Sequence, residues 1–240
     1  MSREKSLQPT PWVKESLFGV WFLGTYTWIR SVLRRALNDL TRMMPNRKES
    51  YPVILDIGYG HGHSLLLLEE YFNPRKLIGL DVDPNAKIRA NSNVKKIKCE
   101  SQLIESDAAI IDLPDASVDM VFCHQTFHHL VNQEKAIREF YRVLKPGGVL
   151  LFAESCRRYI KSFFIWLLFR HPMEVQKTDI EYIELIKDAG FSIDEKDISR
   201  PFLWWSQPDL GLPSYFKLKA KEIEGQREET MVNLIAYKNL

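Results

Sequence analysis

A chain of 240 residues, with 33 lysines and arginines against 31 aspartates and glutamates and a net charge of +2, is long enough to bury a sizeable core within one α/β domain. That balance gives no global reason to expect nucleic acid as a partner. The three cysteines, Cys99, Cys123 and Cys156, are widely spaced, so they suggest neither a disulfide framework nor a paired zinc motif and read as free thiols of a reducing, cytoplasmic compartment.

Taken in order, residues 1–12 are polar with two prolines and read as a loose end. The uncharged run Leu17 to Ile29 is shorter than the ~20 residues a membrane-spanning helix needs. No small-residue cleavage site follows it, so the chain is expected to be unprocessed and soluble. Trp28, Ile29, Val32, Leu33, Ala36, Leu37 and Leu40 fall at three- and four-residue steps, which predicts an amphipathic helix with Arg30, Arg34 and Asn38 on its other face. That helix either packs on the core with a solvated basic face, or serves as a lid over the ligand site or a contact with an anionic surface. Strands are expected at Val53–Leu55, Lys76–Asp81, Gln102–Ser106, Val118–Cys123 and Val149–Ala153, with helices from Ser64, Ala86 and Asn132 or Gln133 between them. This alternation predicts a doubly wound, mostly parallel sheet. A weak strand over Phe191–Ser199 and a better one over Met231–Tyr237 bring the sheet to seven. Between Glu154 and these strands, Phe163–Phe169 is strongly apolar. Thr178 and Glu181 then form a capping box for a helix ending at Gly190, with Ile180, Ile183 and Ile186 inward. The proline- and aromatic-rich stretch from Pro201 to Phe216 is too irregular for an element.

The stretch VILDIGYGHGHS, Val53 to Ser64, carries the strongest signal. A short strand ends at Asp56, glycines alternate at 58, 60 and 62, and a helix follows, which makes a nucleotide-sized seat. Gly58 suits the sharp turn, Gly60 a close approach of ligand to backbone, and Gly62 tight helix packing. The spacing GxGxG, with an acid two places before it, departs from the dinucleotide pattern GxGxxG. Downstream come LIGLDVDP, IESDA, VDMVFCHQTFHHL and EFYRVLKPGGVLLFAES. In order and spacing the chain resembles the class I (Rossmann-like) methyltransferases that use S-adenosylmethionine, across roughly residues 51–154.

That resemblance implies S-adenosylmethionine as cofactor and S-adenosylhomocysteine as product. It implies that Asp56 fixes the glycine loop and the ligand's amino group, that Asp81 accepts the ribose hydroxyls, that Val82 packs on the adenine and that Asp107 accepts from its exocyclic amine. Tyr59, Ala108 and His124 complete the expected cofactor contacts with Gly58, Gly60 and Gly62. His128 and His124 are the candidates for a proton acceptor, since an imidazole with an unperturbed pKa of ~6.5 suits that task near neutral pH. If the chain turns helical after His124, these two share a face. The family often has a histidine at the position of His129, which favours a packing role there. The spacing of these histidines makes metal binding possible, but a metal site is not expected, because no carboxylate or cysteine partners them at ligand spacing.

Several acceptors are disfavoured. The sequence CHQTF after the fourth strand lacks the NPPY-like motif of nucleic-acid amino methylation, the proline that precedes a cysteine in pyrimidine-carbon methylation, and the glutamate pair of arginine methylation. A small, apolar or lipid-like acceptor remains. The alternatives are a cofactor-binding module without catalysis or, more weakly, methylation of protein or RNA. Residues 1–50 are expected to form an N-terminal helical cap and residues 51–240 the cofactor-binding domain, with 156–240 supplying substrate-side segments. Arg30, Arg34 and Arg35 are the candidates for a peripheral membrane contact.

Overall fold

The computed structural model describes residues 12–44, 51–201 and 228–240. The expected loose end before Trp12, the segment 45–50 that the sequence pattern, with Pro45, sets off from the core domain, and the aromatics Phe202, Trp204, Trp205, Tyr215 and Phe216 lie outside these residues.

The helices are α1 (Leu17–Leu23), α2 (Tyr26–Trp28), α3 (Arg34–Arg42), α4 (His63–Phe72), α5 (Ala86–Val94), α6 (Gln133–Val143), α7 (Arg157–Ile160), α8 (Phe163–Leu168) and α9 (Asp179–Asp188). The strands are β1 (Val53–Ile57), β2 (Lys76–Asp81), β3 (Glu100–Glu105), β4 (Val118–His124), β5 (Leu144–Ser155), β6 (Ile198–Ser199) and β7 (Met231–Tyr237). They form one seven-stranded sheet in the order β3-β2-β1-β4-β5-β7-β6. β1 to β5 run parallel, and β7 pairs antiparallel with both β5 and β6. The expected doubly wound α/β sheet is therefore present.

Each face of the sheet carries its own core. Phe127, Phe140, Phe152, Tyr182 and Ile186 fill one side, under α6 and α9. Leu33, Leu37, Leu40, Leu65, Leu68 and Phe122 fill the other, under α3 and α4. The capping box Thr178–Glu181 opens α9 as expected. Ile180, however, points to solvent at 59% exposure, and Tyr182 takes the inward place. The helical stripe runs through 182, 183 and 186, which puts the second residue of α9 on the outer face.

The N-terminal segment departs most from expectation. The amphipathic run is not one regular helix: α2 passes into α3 through a π-helical turn at Ile29–Leu33. Such a turn adds a residue and shifts the helical register, so complete burial starts only at Leu33 and continues through Ala36, Leu37 and Leu40. α3 thus packs on the sheet as part of the core. Arg34 is occupied there, its guanidinium donating at 2.8 and 3.0 Å to both oxygens of Glu70.

β5 is longer than Val149–Ala153 because Lys145–Gly148 continues into the sheet once it has stopped α6, with Leu144 already beside Val118. Phe191–Ser199 gives only a bridge from Ser192 to Tyr237 and the two residues of β6. No helix among the described residues is long and apolar enough to cross a membrane. Cys99, Cys123 and Cys156 carry free thiols.

Candidate active site

β1 lies between β2 and β4, so the strand order reverses at the β1/β4 boundary, where open α/β sheets bind ligands beyond their carboxyl ends. The glycine loop leaves β1 at that point. At Gly58, φ is +76° and a Cβ would meet the Thr126 side chain, so only glycine fits beneath the loop after β4. At Gly60 a Cβ would find only the Gly58 carbonyl, 3.9 Å away, which leaves bare backbone facing open space. Asp81 fixes this loop: its Oδ2 accepts from Gly60 N at 2.8 Å while its Oδ1 accepts from Asp83 N at 2.9 Å.

A cavity of about 190 Å³ opens here. Asp56, Gly58, Tyr59, Gly60, Asp81, Val82, Asp107, Ala108 and His124 line it. Gly62 is the exception among the residues expected to touch the cofactor; a Cβ there would lie 3.1 Å from that of Ala90, so its work is packing α4 on α5. The Tyr59 ring turns inward over Gly79. Asp107 holds its own turn, accepting from Ala109 N at 2.9 Å. Asp56 is buried and accepts at 2.5 Å from Ser64 Oγ. Burial, with Asp81 nearby, lifts its pKa to about 7, so a cationic ligand group would favour the ionised form.

The histidines are arranged differently from expectation. The chain is not helical after His124: β4 runs through it, Gln125 follows at φ +51°, and a 3₁₀ turn covers Phe127–His129. His124 and His128 therefore do not share a helical face. His124 stacks on Phe122, meets Trp28 edge-on, and has a buried Nε2 with no partner among the described residues. His128 Nδ1 lies 2.6 Å from Glu154 Oε2. Glu154 Oε1 in turn accepts from the backbone N–H groups of Thr126 and Phe127, each at 2.8 Å. Burial raises the Glu154 pKa and lowers that of His128, so both effects favour an uncharged pair. In that uncharged pair the Glu154 proton faces Nδ1 and Nε2 carries hydrogen; only with Glu154 ionised does Nδ1 donate and Nε2 stand free, and in either state Glu154 fixes the orientation of the ring.

A second cavity, of about 440 Å³, adjoins the first and is more apolar, lined by Phe18, Phe22, Val32, Ile160, Ile165, Leu168 and Phe169 with His128 and His171. Glu15, Leu23, Trp28, Gln125 and His129 line both cavities. The N-terminal segment thus forms a wall of each, and His61 holds it to the glycine loop by a 2.9 Å contact between Nε2 and Val20 O. Gln125 Oε1 accepts from Ser155 Oγ at 2.5 Å.

Ligating atoms of His128, His129 and His171 lie within 4.8 Å of one another, and Glu15 Oε2 is 3.9 Å from His129 Nε2. These imidazoles can hold a divalent transition ion if the rings contract to ~2.0 Å bonds. The histidine spacing allowed a metal, and the lack of a partnering carboxylate or cysteine nearby in sequence argued against one; His171 and Glu15 reach the set only through the fold. An ion there would occupy the free nitrogen of His128. Glu154 was within reach of sequence reasoning, since it stands at the carboxyl end of its apolar run as Asp56, Asp81 and Asp107 stand at or just beyond theirs. Glu15, Gln125 and His171 carried no comparable signal.

Residues 55–152 match the family model of a methyltransferase domain. The chain is 26% identical over 191 residues to the malonyl-[acyl-carrier protein] O-methyltransferase of Marinomonas sp. (strain MWYL1), covering 78% of this chain and 69% of that one. It is 32% identical over 121 residues to the demethylmenaquinone methyltransferase of Thermus thermophilus, covering 50% of this chain and 52% of that enzyme. Among solved structures, a putative methyltransferase in complex with the Haloferax volcanii Trm112 methyltransferase activator superposes with a TM-score of 0.67 at 18% identity, over 93% of this chain and 98% of that one. This last likeness concerns the fold. With the glycine loop and the matched residues together at the sheet's switch point, the chain carries a methyltransferase domain of the class I S-adenosylmethionine-dependent type.

Proposed function

We propose that the chain transfers the methyl group of S-adenosylmethionine to a small, apolar or lipid-like acceptor, with the cofactor in the first cavity and the acceptor in the second. The observation that carries this reading is the apolar cavity itself, which shares a wall with the glycine-loop cavity. An apolar pocket with few polar groups is the usual build of a small-molecule site. One relative, named for demethylmenaquinone, acts on a quinone, which agrees with such a pocket.

The residues lining the first cavity suit the cofactor's groups in charge and polarity. In this reading Asp56 faces the amino group, Gly60 gives access to backbone, Asp81 accepts from the ribose hydroxyls, Val82 packs on the adenine and Asp107 accepts from its amine, with Tyr59, Ala108 and the unpaired His124 Nε2 beside them. The bound cofactor supplies an activated methyl group on a sulfonium. The protein's task is then to hold the acceptor atom ~3 to 3.5 Å from that carbon, in line with the sulfur, and to exclude water. The walls from Trp12 to Trp28 and from α7 and α8 do this. His128 Nε2 takes the acceptor's proton, with Glu154 holding the ring.

Replacing Asp81 by alanine removes ligand contacts and the clip on Gly60 together. S-adenosylmethionine binding should weaken by on the order of 1.5 to 3 kcal/mol, or more if the loop loosens, as read by calorimetric titration. Unchanged affinity, or tight binding of a dinucleotide by the wild type, would refute the seat. The acceptor class is tested by incubating the protein and methyl-labelled cofactor with cell extract, then separating lipid, small-molecule, protein and RNA fractions. Label in the apolar fraction supports the proposal. Label in protein or RNA, or in no fraction, favours macromolecular methylation or a non-catalytic binding module.

A further inference from the structure

Among the described residues, 13 large hydrophobic side chains are exposed, and eight of them fall on two short stretches: Leu17, Phe18, Trp21 and Tyr26, and Phe163, Phe164, Trp166 and Leu167. Leu17 is 90% exposed, Trp21 63% and Trp166 58%. Apolar groups gathered in this way mark an interaction site.

The two stretches adjoin. Ser16 Oγ donates to Leu168 O at 2.6 Å, Arg170 N donates to Glu15 Oε1 at 2.9 Å, and the Phe18 and Phe169 rings meet edge-on at 5.6 Å. Each helix is apolar on both sides. Phe22 on α1, and Ile165 and Leu168 on α8, line the apolar cavity, while Leu17, Trp21, Phe163 and Trp166 point outward. Phe18 does both, lining the cavity while remaining 39% exposed, so the outer patch is continuous with the cavity's rim.

Charge identifies the occupant. Residues 16–38 contain Arg30, Arg34 and Arg35 and no aspartate or glutamate, and residues 155–173 contain Arg157, Arg158, Lys161 and Arg170 and likewise none. Arg34 is engaged by Glu70, and Arg157 by Glu181 and Glu228. Lys161 and Arg170, one on each side of α8, are exposed. Outward tryptophans and phenylalanines flanked by cations, on helices too short to span a bilayer, are the composition of a surface that lies in a lipid interface.

We propose that α1 and α8 form a docking surface for an anionic lipid bilayer, placing the rim of the apolar cavity against the membrane. An acceptor dissolved in lipid then enters that cavity without crossing water. The surface itself does not depend on the acceptor reading, because it is tested without cofactor or turnover.

The test is co-sedimentation of the full chain with phosphatidylcholine vesicles, with and without phosphatidylglycerol. The expected result is binding that needs the anionic lipid and weakens with salt. Lys161→Gln with Arg170→Gln should cut partitioning by ~10-fold or more, and Trp21→Ser with Trp166→Ser by a similar factor. Ile88→Ser, an exposed apolar change on α5, should leave binding unaltered. In the wild type, brominated lipid should quench tryptophan emission, which tests insertion without any variant. No binding to anionic vesicles, unquenched tryptophan, or a concentration-dependent dimer abolished by the Trp21/Trp166 pair would overturn the proposal, the last by assigning the patch to a second copy of the chain.

Discussion

Replacing His128 by alanine is expected to lower turnover by a factor of ~10² to 10⁴ while cofactor affinity changes little. The ring's position explains both halves of that result. His128 lines the apolar cavity and is absent from the lining of the cofactor cavity, so its loss should not disturb the cofactor. Its Nδ1 is committed to Glu154, which leaves Nε2 as the atom able to accept a proton. Glu154→Gln should cost nearly as much. The amide can still accept from Thr126 and Phe127, but its NH₂ then donates to Nδ1 and forces the ring hydrogen onto Nε2, the wrong tautomer for a base.

The same pair fixes the sign of the pH dependence. With Glu154 protonated, its proton faces Nδ1 and Nε2 carries hydrogen; with Glu154 ionised, Nδ1 donates and Nε2 is free. Turnover should therefore rise with pH and level off above the value of about 8 to which burial lifts Glu154. A profile flat from pH 6 to 9 would exclude this base, as would a His128→Ala enzyme whose deficit follows its melting temperature alone.

The second large effect concerns the N-terminus, where the point of truncation decides the outcome. Removing residues 1–24 deletes Trp12, Val13, Val20 and Leu23 from the cofactor cavity and Phe18 and Phe22 from its neighbour, but leaves the buried part of α3 in place. The shortened protein should fold, bind S-adenosylmethionine more weakly, lose at least ~10²-fold in turnover as acceptor alignment and water exclusion fail, and bind an apolar dye. Removing residues 1–44 is different. It strips Leu33, Leu37 and Leu40, all fully buried, from one core. Truncating a buried leucine to alanine alone costs about 2 to 5 kcal/mol, and a domain of this kind has about 5 to 15 kcal/mol in total. That longer truncation should not fold. Circular dichroism and thermal melts of the two chains, beside turnover, provide the check; a folded and fully active chain lacking 1–24 would end the cap proposal.

Much of the architecture could be read from local pattern. β1, the glycine loop and α4 form one continuous stretch, and the acids at 56, 81 and 107 each stand at or just beyond the end of an apolar run, so the sequence alone placed them around one cavity. The fifth strand ends in the same way at Glu154, although its partner could not be foreseen, because the contact with His128 depends on Gln125 breaking the helical path assumed after His124. Groups supplied by remote segments were beyond local reading. His171 reaches His129 from beyond α8, and Glu15 arrives from the far end of the chain. The π-helical turn at Ile29–Leu33 was hidden for a related reason: its residues continue the apolar stripe in sequence, while the inserted register separates Trp28, at the cavities, from Leu33, in the core.

Gln125 carries a consequence for adaptation to heat. Its backbone sits in the left-handed region between β4 and the 3₁₀ turn, a conformation costing on the order of 1 to 3 kcal/mol for a residue with a side chain. Glycine would relieve that cost, yet it would also remove the amide that Ser155 holds at the meeting of the two cavities. Selection for thermostability alone would therefore erode this position. A lineage that moves to hotter surroundings and keeps its activity has to find its extra stability elsewhere in the domain and tolerate the strain here.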